Sequence, residues 1–346
     1  MAQQLTDSSN LSLDEFCFRS KSAKVSEKIP GKFRDVVDAF RTVYWFHSLR
    51  IGVNAKTTYQ LEQALEPDAF CFDADGGSYR RNKWGGYRLG KHTPSHKLIV
   101  SVNEIYEGAQ SEFEHVLWDS LRLSHSATQN ADAWIRRLAP DVQSILWSKD
   151  KKISGNRVRM RQLSALHLQM IERRASLDAL ACLTILLREA HELGRMVQSF
   201  NIAKSLCRVL VMIGDVLNGH GISRPLYDYY EEIILPLACW QEKRISYQGL
   251  HFMELVGHLY HRLYHLRNVD LCRLSEQEKV LYKLKILNGE YGWDYMRLLN
   301  PVEISTKTVI DLDGREDRER KLIEKRRQWA LDNILTGEDG HSLPPM

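Results

Sequence analysis

No run of apolar residues in this 346-residue sequence approaches the ~18 needed to cross a bilayer. The longest, Leu177 to Leu187, is broken by Asp178 and Thr184 and reads as a buried core helix. The first ten residues, MAQQLTDSSN, are polar and lack the apolar stretch of a secretory leader. The six cysteines (Cys17, Cys71, Cys182, Cys207, Cys239 and Cys272) are scattered, with no CxxC pair. That argues against a disulfide framework and for reduced thiols, so the expected location is cytoplasmic, away from membranes. The motifs of common nucleotide and acyl chemistry are missing as well. There is no GxxxxGK(S/T), no GxGxxG after a strand, no GxSxG and no kinase set. Asp73, Asp75 and Gly76 open like a calcium loop, but the Glu that must close it is absent. No cofactor is therefore expected and no catalytic residue is assigned.

What remains is a chain with a core to build. Hydrophobic residues make up 43% and charged residues 27%, with a formal net charge of only +4. The apolar share is too high for a disordered chain, and the length suits two domains. The charge is unevenly placed. Arg19 to Lys97 holds fifteen Lys and Arg against eight Asp and Glu. A local surplus of this kind favours a polyanionic partner.

The expected fold is mainly α. Residues 1–30 are polar and read as a flexible arm, with Ser12 and Glu15 spaced as a capping box. Residues 31–150 form a helix-turn-helix-like N-terminal domain. Its first helix, to Leu49, carries Phe33, Val36, Val37, Phe40, Val43 and Tyr44 on one face. Thr57 to Leu65 is a shorter helix stopped by Pro67. Turn chemistry at Asp73 to Ser78 leads into an expected helix from Ser78 to Leu89. Further helices are expected over Glu112 to Leu123, Ala131 to Leu138 and Asp141 to Trp147. A basic, Ser- and Gly-containing break over 148–160 marks the boundary. Residues 151–300 form a helical bundle, with helices near 160–174, 176–197, 200–217, 225–243, 248–266 and 275–288. Ser176 caps the second, and Ser275 with Glu278 makes a capping box for the last. Residues 301–346 hold a strand and a charged helix, and alternation over 302–312 gives the one strand expected.

The chemistry concentrates between Lys83 and Tyr106, KWGGYRLGKHTPSHKLIVSVNEIY. Trp84, Tyr87, Gly90, Lys91, Pro94, Ser95 and Leu98 form the series W-x-x-Y-x-x-G-K-x-x-P-S-x-x-L. Trp84 and Tyr87 share a helix face and can seat it on its neighbours. Gly90 permits a left-handed exit, Pro94 opens the next helix, and Leu98, Ile99 and Val102 return to the same core. The other face of the first helix carries Arg80, Arg81, Asn82 and Lys83, side chains suited to phosphates and base edges. The series resembles the turn and packing half of the helix-turn-helix in the Cro and C1 phage-repressor family, over about 25 residues. The resemblance implies that Ser78, Tyr79, Arg80, Arg81, Asn82 and Lys83 lie near a DNA groove, and Lys91 and His92 near a phosphate. Two departures stand out. Tyr59 to Leu65 only approximates the family's scaffold helix, and Gly85 and Gly86 each cost the helix roughly 1 kcal/mol against Ala.

Three other groupings invite chemistry. His251, Glu254, His258, His261 and His265 share a helix face, and His258, His261 and His265 have a spacing that can bind metal, although HExxH is absent. The bland alternative is a polar packing face. Tyr227, Tyr229, Tyr230, Glu231 and Glu232 suit either a partner contact or buried packing. The basic run Lys149, Lys151, Lys152, Arg157, Arg159 and Arg161 suits phosphates or a solvated linker. Arg315 to Arg327 mixes both signs and is expected as an exposed helix with i,i+4 pairs. The functional expectation is a DNA-binding regulator or accessory protein, as in a bacterium, phage, mobile element or defence system, with RNA also open as a partner. The C-terminal helices would oligomerise or recruit a protein. The alternatives are a helical scaffold subunit and a metal-dependent enzyme using the His251 to His265 face.

Overall fold

The computed structural model describes residues 35–67, 70–72, 78–80, 83–149, 157–160, 162–247, 250–266, 271–306, 315–337 and 340–341. The arm with its Ser12–Glu15 box, the Asp73 to Gly77 turn, Arg81, Asn82, Lys151, Lys152, Arg161 and the 307–312 half of the expected strand lie outside the described residues. Elsewhere helices dominate. The described strands form three antiparallel pairs of two strands each. The chain is thus mainly α, and the strand expected near 302–312 is present as Val302–Ser305.

Backbone contacts divide the chain into two units. The first comprises the described part of Met1–Arg122 together with Val216–Leu226. Its central helix, α1 (Val36–Gly52), starts where the Asp35 carboxylate accepts from Val37 N at 2.9 Å. Then comes α2 (Thr58–Leu65), opened by a capping box between Thr57 and Gln60. A short hairpin pairs β1 (Phe70–Phe72) with β2 (Ser78–Arg80). It leads to α3 (Lys83–Arg88), α4 (His96–Ile105), α5 (Ala109–Phe113) and α6 (Val116–Leu121). The last two replace the single helix expected over Glu112 to Leu123. Gly108 at φ +96° starts α5, and His115 begins α6 after a break at Glu114.

The core of this unit is aromatic. Trp45, Phe46, Trp84, Tyr87, Leu98 and Val102 are buried in one cluster. The Trp45 and Trp84 rings stack with centroids 5.8 Å apart, and Trp45 Nε1 donates to Ala109 O at 3.0 Å. Each such side chain contributes about 1.5–3 kcal/mol by leaving water. The indole N–H finds a partner, so burying it leaves no unmet donor.

The second unit comprises Leu123–Asp215 and the described part of Tyr227–Met346. It begins with α7 (Ala127–Ile135) and α8 (Pro140–Leu146), the latter with Pro at its first position. Next, β3 (Trp147–Lys149) pairs with β4 (Arg157–Arg159), and α9 (Ala165–Glu172) follows. Its centre is α10 (Leu177–Glu192) against α11 (Met196–Met212). From Ala179 to Arg188 every residue of α10 is buried. Thr184 is tolerated there because its hydroxyl donates to Leu180 O at 2.8 Å and lies 2.7 Å from Tyr230 Oη. At the other end of α10, Glu192 caps α7, accepting from Ala127 N at 2.7 Å and Thr128 N at 2.8 Å. Burial alone would raise the Glu192 pKa, but those amides and the Ser126 and Thr128 hydroxyls pull it down to about 2.

The helix expected over 225–243 stops early. A helical stretch to Tyr229 widens into a π turn at Tyr230–Ile234, passes through a 3₁₀ turn at Leu235–Leu237 and becomes β5 (Lys243–Ser246). Pro236 supplies no N–H to continue an α-helix. Strand β5 pairs with β6 (Val302–Ser305). Two short helices, α12 (Gly214–Gly219) and α13 (Ser223–Tyr229), come before β5, and between β5 and β6 run α14 (Phe252–Tyr264), α15 (Glu276–Leu287) and α16 (Trp293–Leu299). The capping box of Ser275 and Glu278 forms as expected. The last helix, α17 (Arg315–Thr336), carries an expected i,i+4 pair of Asp317 with Lys321 and an i,i+3 pair of Asp317 with Arg320, both at 2.7 Å. It is not wholly exposed, however, because Arg327 and Ala330 are buried against the rest of the unit.

Candidate nucleic-acid interface

The packing half of the motif forms as its residues dictate. Trp84, Tyr87, Leu98, Ile99 and Val102 are all buried in the first unit's core. Gly90 leaves α3 at φ +65°, its N–H donating to Tyr87 O at 3.0 Å and Lys91 N donating to Gly86 O at 2.9 Å. This is a left-handed helix ending of the kind glycine favours. A Cβ at position 90 would also stand 3.2 Å from both Ala39 Cβ and Val43 Cγ2. Across the turn Pro94 is buried, and the Ser95 hydroxyl accepts from Leu98 N at 3.3 Å to cap α4. The Lys91 to Lys97 turn is therefore held at both ends.

The reading half is different from the helix expected over Ser78 to Leu89. Ser78, Tyr79 and Arg80 lie on β2, with backbone partners Phe72, Cys71 and Phe70. The helix starts only at Lys83. Aromatic residues in both short segments suit a paired strand, and Gly76 with Gly77 lies in the sequence between them. Ser78 to Arg80 thus cannot lie on one recognition helix with Lys83, and Arg81 and Asn82 fall outside the described residues. Lys83 is committed as well. Its ammonium is ion-paired with one oxygen of Glu66, while Trp84 Nε1 donates to the other at 3.0 Å. Lys83 anchors the start of α3 to the end of α2 instead of reaching outward.

Lys91 and His92 are exposed on the turn. The His92 ring lies over Gly86, where a Cβ would come within 2.6 Å of His92 Cδ2. That contact explains one of the two glycines inside the helix. Beside them, Arg88, His96 and Lys97 are exposed too. The contact set expected from the sequence, Ser78 to Lys83 with Lys91 and His92, does not include these three. Their signal was the basic spacing on both sides of the Gly90 turn. Neither Lys91 nor Lys97 joins an ion pair among the described residues.

A buried histidine lies in the core of the same unit. His47, on α1, is only 7% exposed, and neither ring nitrogen has a hydrogen-bond partner among the described residues. Burial, reinforced by Arg50, His220 and Arg88, pushes its pKa down to about 3. His220 stacks flat on Tyr44 at 4.3 Å and bonds through Nδ1 to Val216 O at 2.7 Å.

The other sequence candidates fall mostly to structural roles. On α14, Phe252, Leu255, Val256, Leu259 and Leu263 are buried as expected, and His261 and His265 are exposed with ring centroids 4.3 Å apart. Among the described residues, no three of His, Cys, Asp or Glu are grouped to hold a metal, so His258, His261 and His265 are not brought together as ligands. Tyr227 stacks on Phe252 at 4.2 Å, and Glu231 accepts from Ser246 Oγ at 2.6 Å, which makes the tyrosine patch a packing element. Arg159 is held by Asp132 and Glu189. No described helix is long and apolar enough to cross a membrane. No family model, curated protein or solved structure matches the chain.

Proposed function

We propose that this chain is a nucleic-acid-binding regulatory or accessory protein that grips phosphates with the turn between α3 and α4. The observation that carries this reading is the exposed basic set Arg88, Lys91, His96 and Lys97 around a turn fixed by Gly90 and the Ser95 cap. Solvated cations on a fixed turn, with no carboxylate partner among the described residues, suit a polyanion, since phosphate contacts release counterions. The neighbouring β1 and β2 form an antiparallel pair, and the DNA major groove admits a two-stranded ribbon. Readout of base edges would then come from the paired strands and not from a recognition helix. The test is a bandshift of the full chain against duplex DNA, single-stranded DNA and RNA at two salt concentrations. Binding that weakens steeply with salt supports the proposal, and no shift of any probe contradicts it.

A second observation favours the protein-interaction role of the C-terminal helices. Leu166 and Met170 of α9, Leu193, and Met196 and Val197 of α11 are exposed apolar side chains. Met196 and Val197 line a cleft of about 720 Å³. An apolar surface of this kind suits self-association or a partner helix. A Leu193→Asp/Val197→Asp variant is expected to lower the solution mass found by light scattering to that of one chain. A single-chain mass for the unaltered protein would count against self-association.

A further inference from the structure

Helix α14 turns two histidines to solvent at its C-terminal end. Phe252, Leu255, Val256, Leu259 and Leu263 bury one face, which leaves Tyr260, His261, Tyr264 and His265 exposed on the other. His261 and His265 are four positions apart, the spacing that makes side chains neighbours on a helix surface. The backbone fixes this register. His265 caps the helix, and its N–H donates to His261 O at 3.0 Å. The two imidazole rings lie with centroids 4.3 Å apart, inclined at 49°.

Neither imidazole has a hydrogen-bond or ion-pair partner among the described residues. The charged side chain between them in sequence is occupied elsewhere. Arg262 donates through Nη2 to Tyr291 O at 2.7 Å, and its guanidinium lies over the Tyr295 ring. A pair of adjacent imidazoles offers two nitrogen lone pairs, donors suited to the divalent ions of the later first-row transition metals. Imidazole nitrogen binds such a metal at about 2.0–2.1 Å. Two rings meeting one metal at right angles then have centroids roughly 4.5 Å apart. The observed separation is close to that, and exposed rings with no other bond are free to rotate until one nitrogen of each faces a shared ion. The place on the helix adds to the attraction. His261 belongs to the last turn, where the negative end of the helix dipole favours a cation.

We infer that His261 and His265 form a two-point clamp for a divalent transition-metal ion, with water in its remaining coordination positions. Among the described residues no group of three His, Cys, Asp or Glu forms a closed site, so those positions stay open. The clamp lies in the second unit and does not depend on the phosphate grip proposed for the turn between α3 and α4.

The experiment is calorimetric titration of the full chain, without an added polyhistidine tag, with Ni²⁺ and with Mg²⁺. Ni²⁺ should bind at submillimolar concentration, and Mg²⁺, which takes oxygen ligands, should not bind. His261→Ala and His265→Ala should each weaken Ni²⁺ binding at least about tenfold, because a second ligand on the same helix acts at high effective concentration. His251→Ala, at an exposed position starting the same helix, should bind as the unaltered chain does. Ni²⁺ should also raise the melting temperature of the unaltered chain more than that of either clamp variant. Circular dichroism checks that the variants fold, and His261→Gln and His265→Gln serve if an alanine variant does not. The inference is overturned if Ni²⁺ does not bind at millimolar concentration or if Mg²⁺ binds equally well. It is also overturned if a folded clamp variant keeps full affinity, or if His251→Ala loses as much as the clamp variants do.

Discussion

His47 shows what one buried titratable side chain does to the first unit. It is neutral in the fold, because burial and the nearby Arg50, His220 and Arg88 hold its pKa near 3. In the unfolded chain it titrates near its ordinary value of about 6.5. Between those values the unfolded state binds the proton and the folded state does not. Stability is therefore fully present above about pH 6.5 and is lost as pH falls toward 3. At pH 5 the expected loss from this group is about 2 kcal/mol. Urea melts at pH 7 and pH 5 should show that loss, and a His47→Leu variant should lose less than the unaltered chain over the same interval. Equal losses in both proteins would mean that His47 is not the group responsible. Nothing in the sequence marked this residue. A lone histidine on a helix takes its character from what packs around it, here the Val216–Leu226 segment, more than 160 positions downstream.

At the scale of elements, local chemistry was legible and pairing was not. Ser275 and Glu278, Ser176 and the Gly90 ending all form as their spacing predicts, because each uses groups within a few residues of one another. The buried faces of α1 and α14 were visible for the same reason. The β1–β2 hairpin was not visible, since three-residue strands leave no period and their stability comes from each other. The sequence therefore points to a contact helix from Ser78, and it marks Lys91 and His92 after Arg88 but not His96 and Lys97. Gly90 is the element-scale test of the arrangement that replaces it. Gly90→Ala places a side chain at φ +65° and 3.2 Å from Ala39 and Val43. The expected cost is about 1–2 kcal/mol, larger than the few tenths typical of a surface change. Thermal unfolding of this variant beside Gly219→Ala, where a Cβ meets nothing within 4 Å, measures it. Similar melting temperatures for the two variants would show that the turn is not held as described.

For the whole molecule, a mainly α chain was evident from periodicity, and where its two units divide needed the structure. Helices α7 and α8 belong to the second unit because α7 packs on α10 and is capped by Glu192, a contact between residues some 60 apart. The functional account likewise rests on where charge emerges at the surface, and its central claim is that the turn after α3 grips phosphates. The most direct measurement is the salt dependence of duplex binding, by fluorescence anisotropy, for the unaltered chain and for Lys91→Ala/Lys97→Ala. Both side chains are exposed, so the variant should fold normally. If each lysine neutralises one phosphate, the slope of log K against log salt should become shallower by about 2, and affinity should fall at every salt concentration. An unchanged slope and affinity in the folded variant would contradict the account.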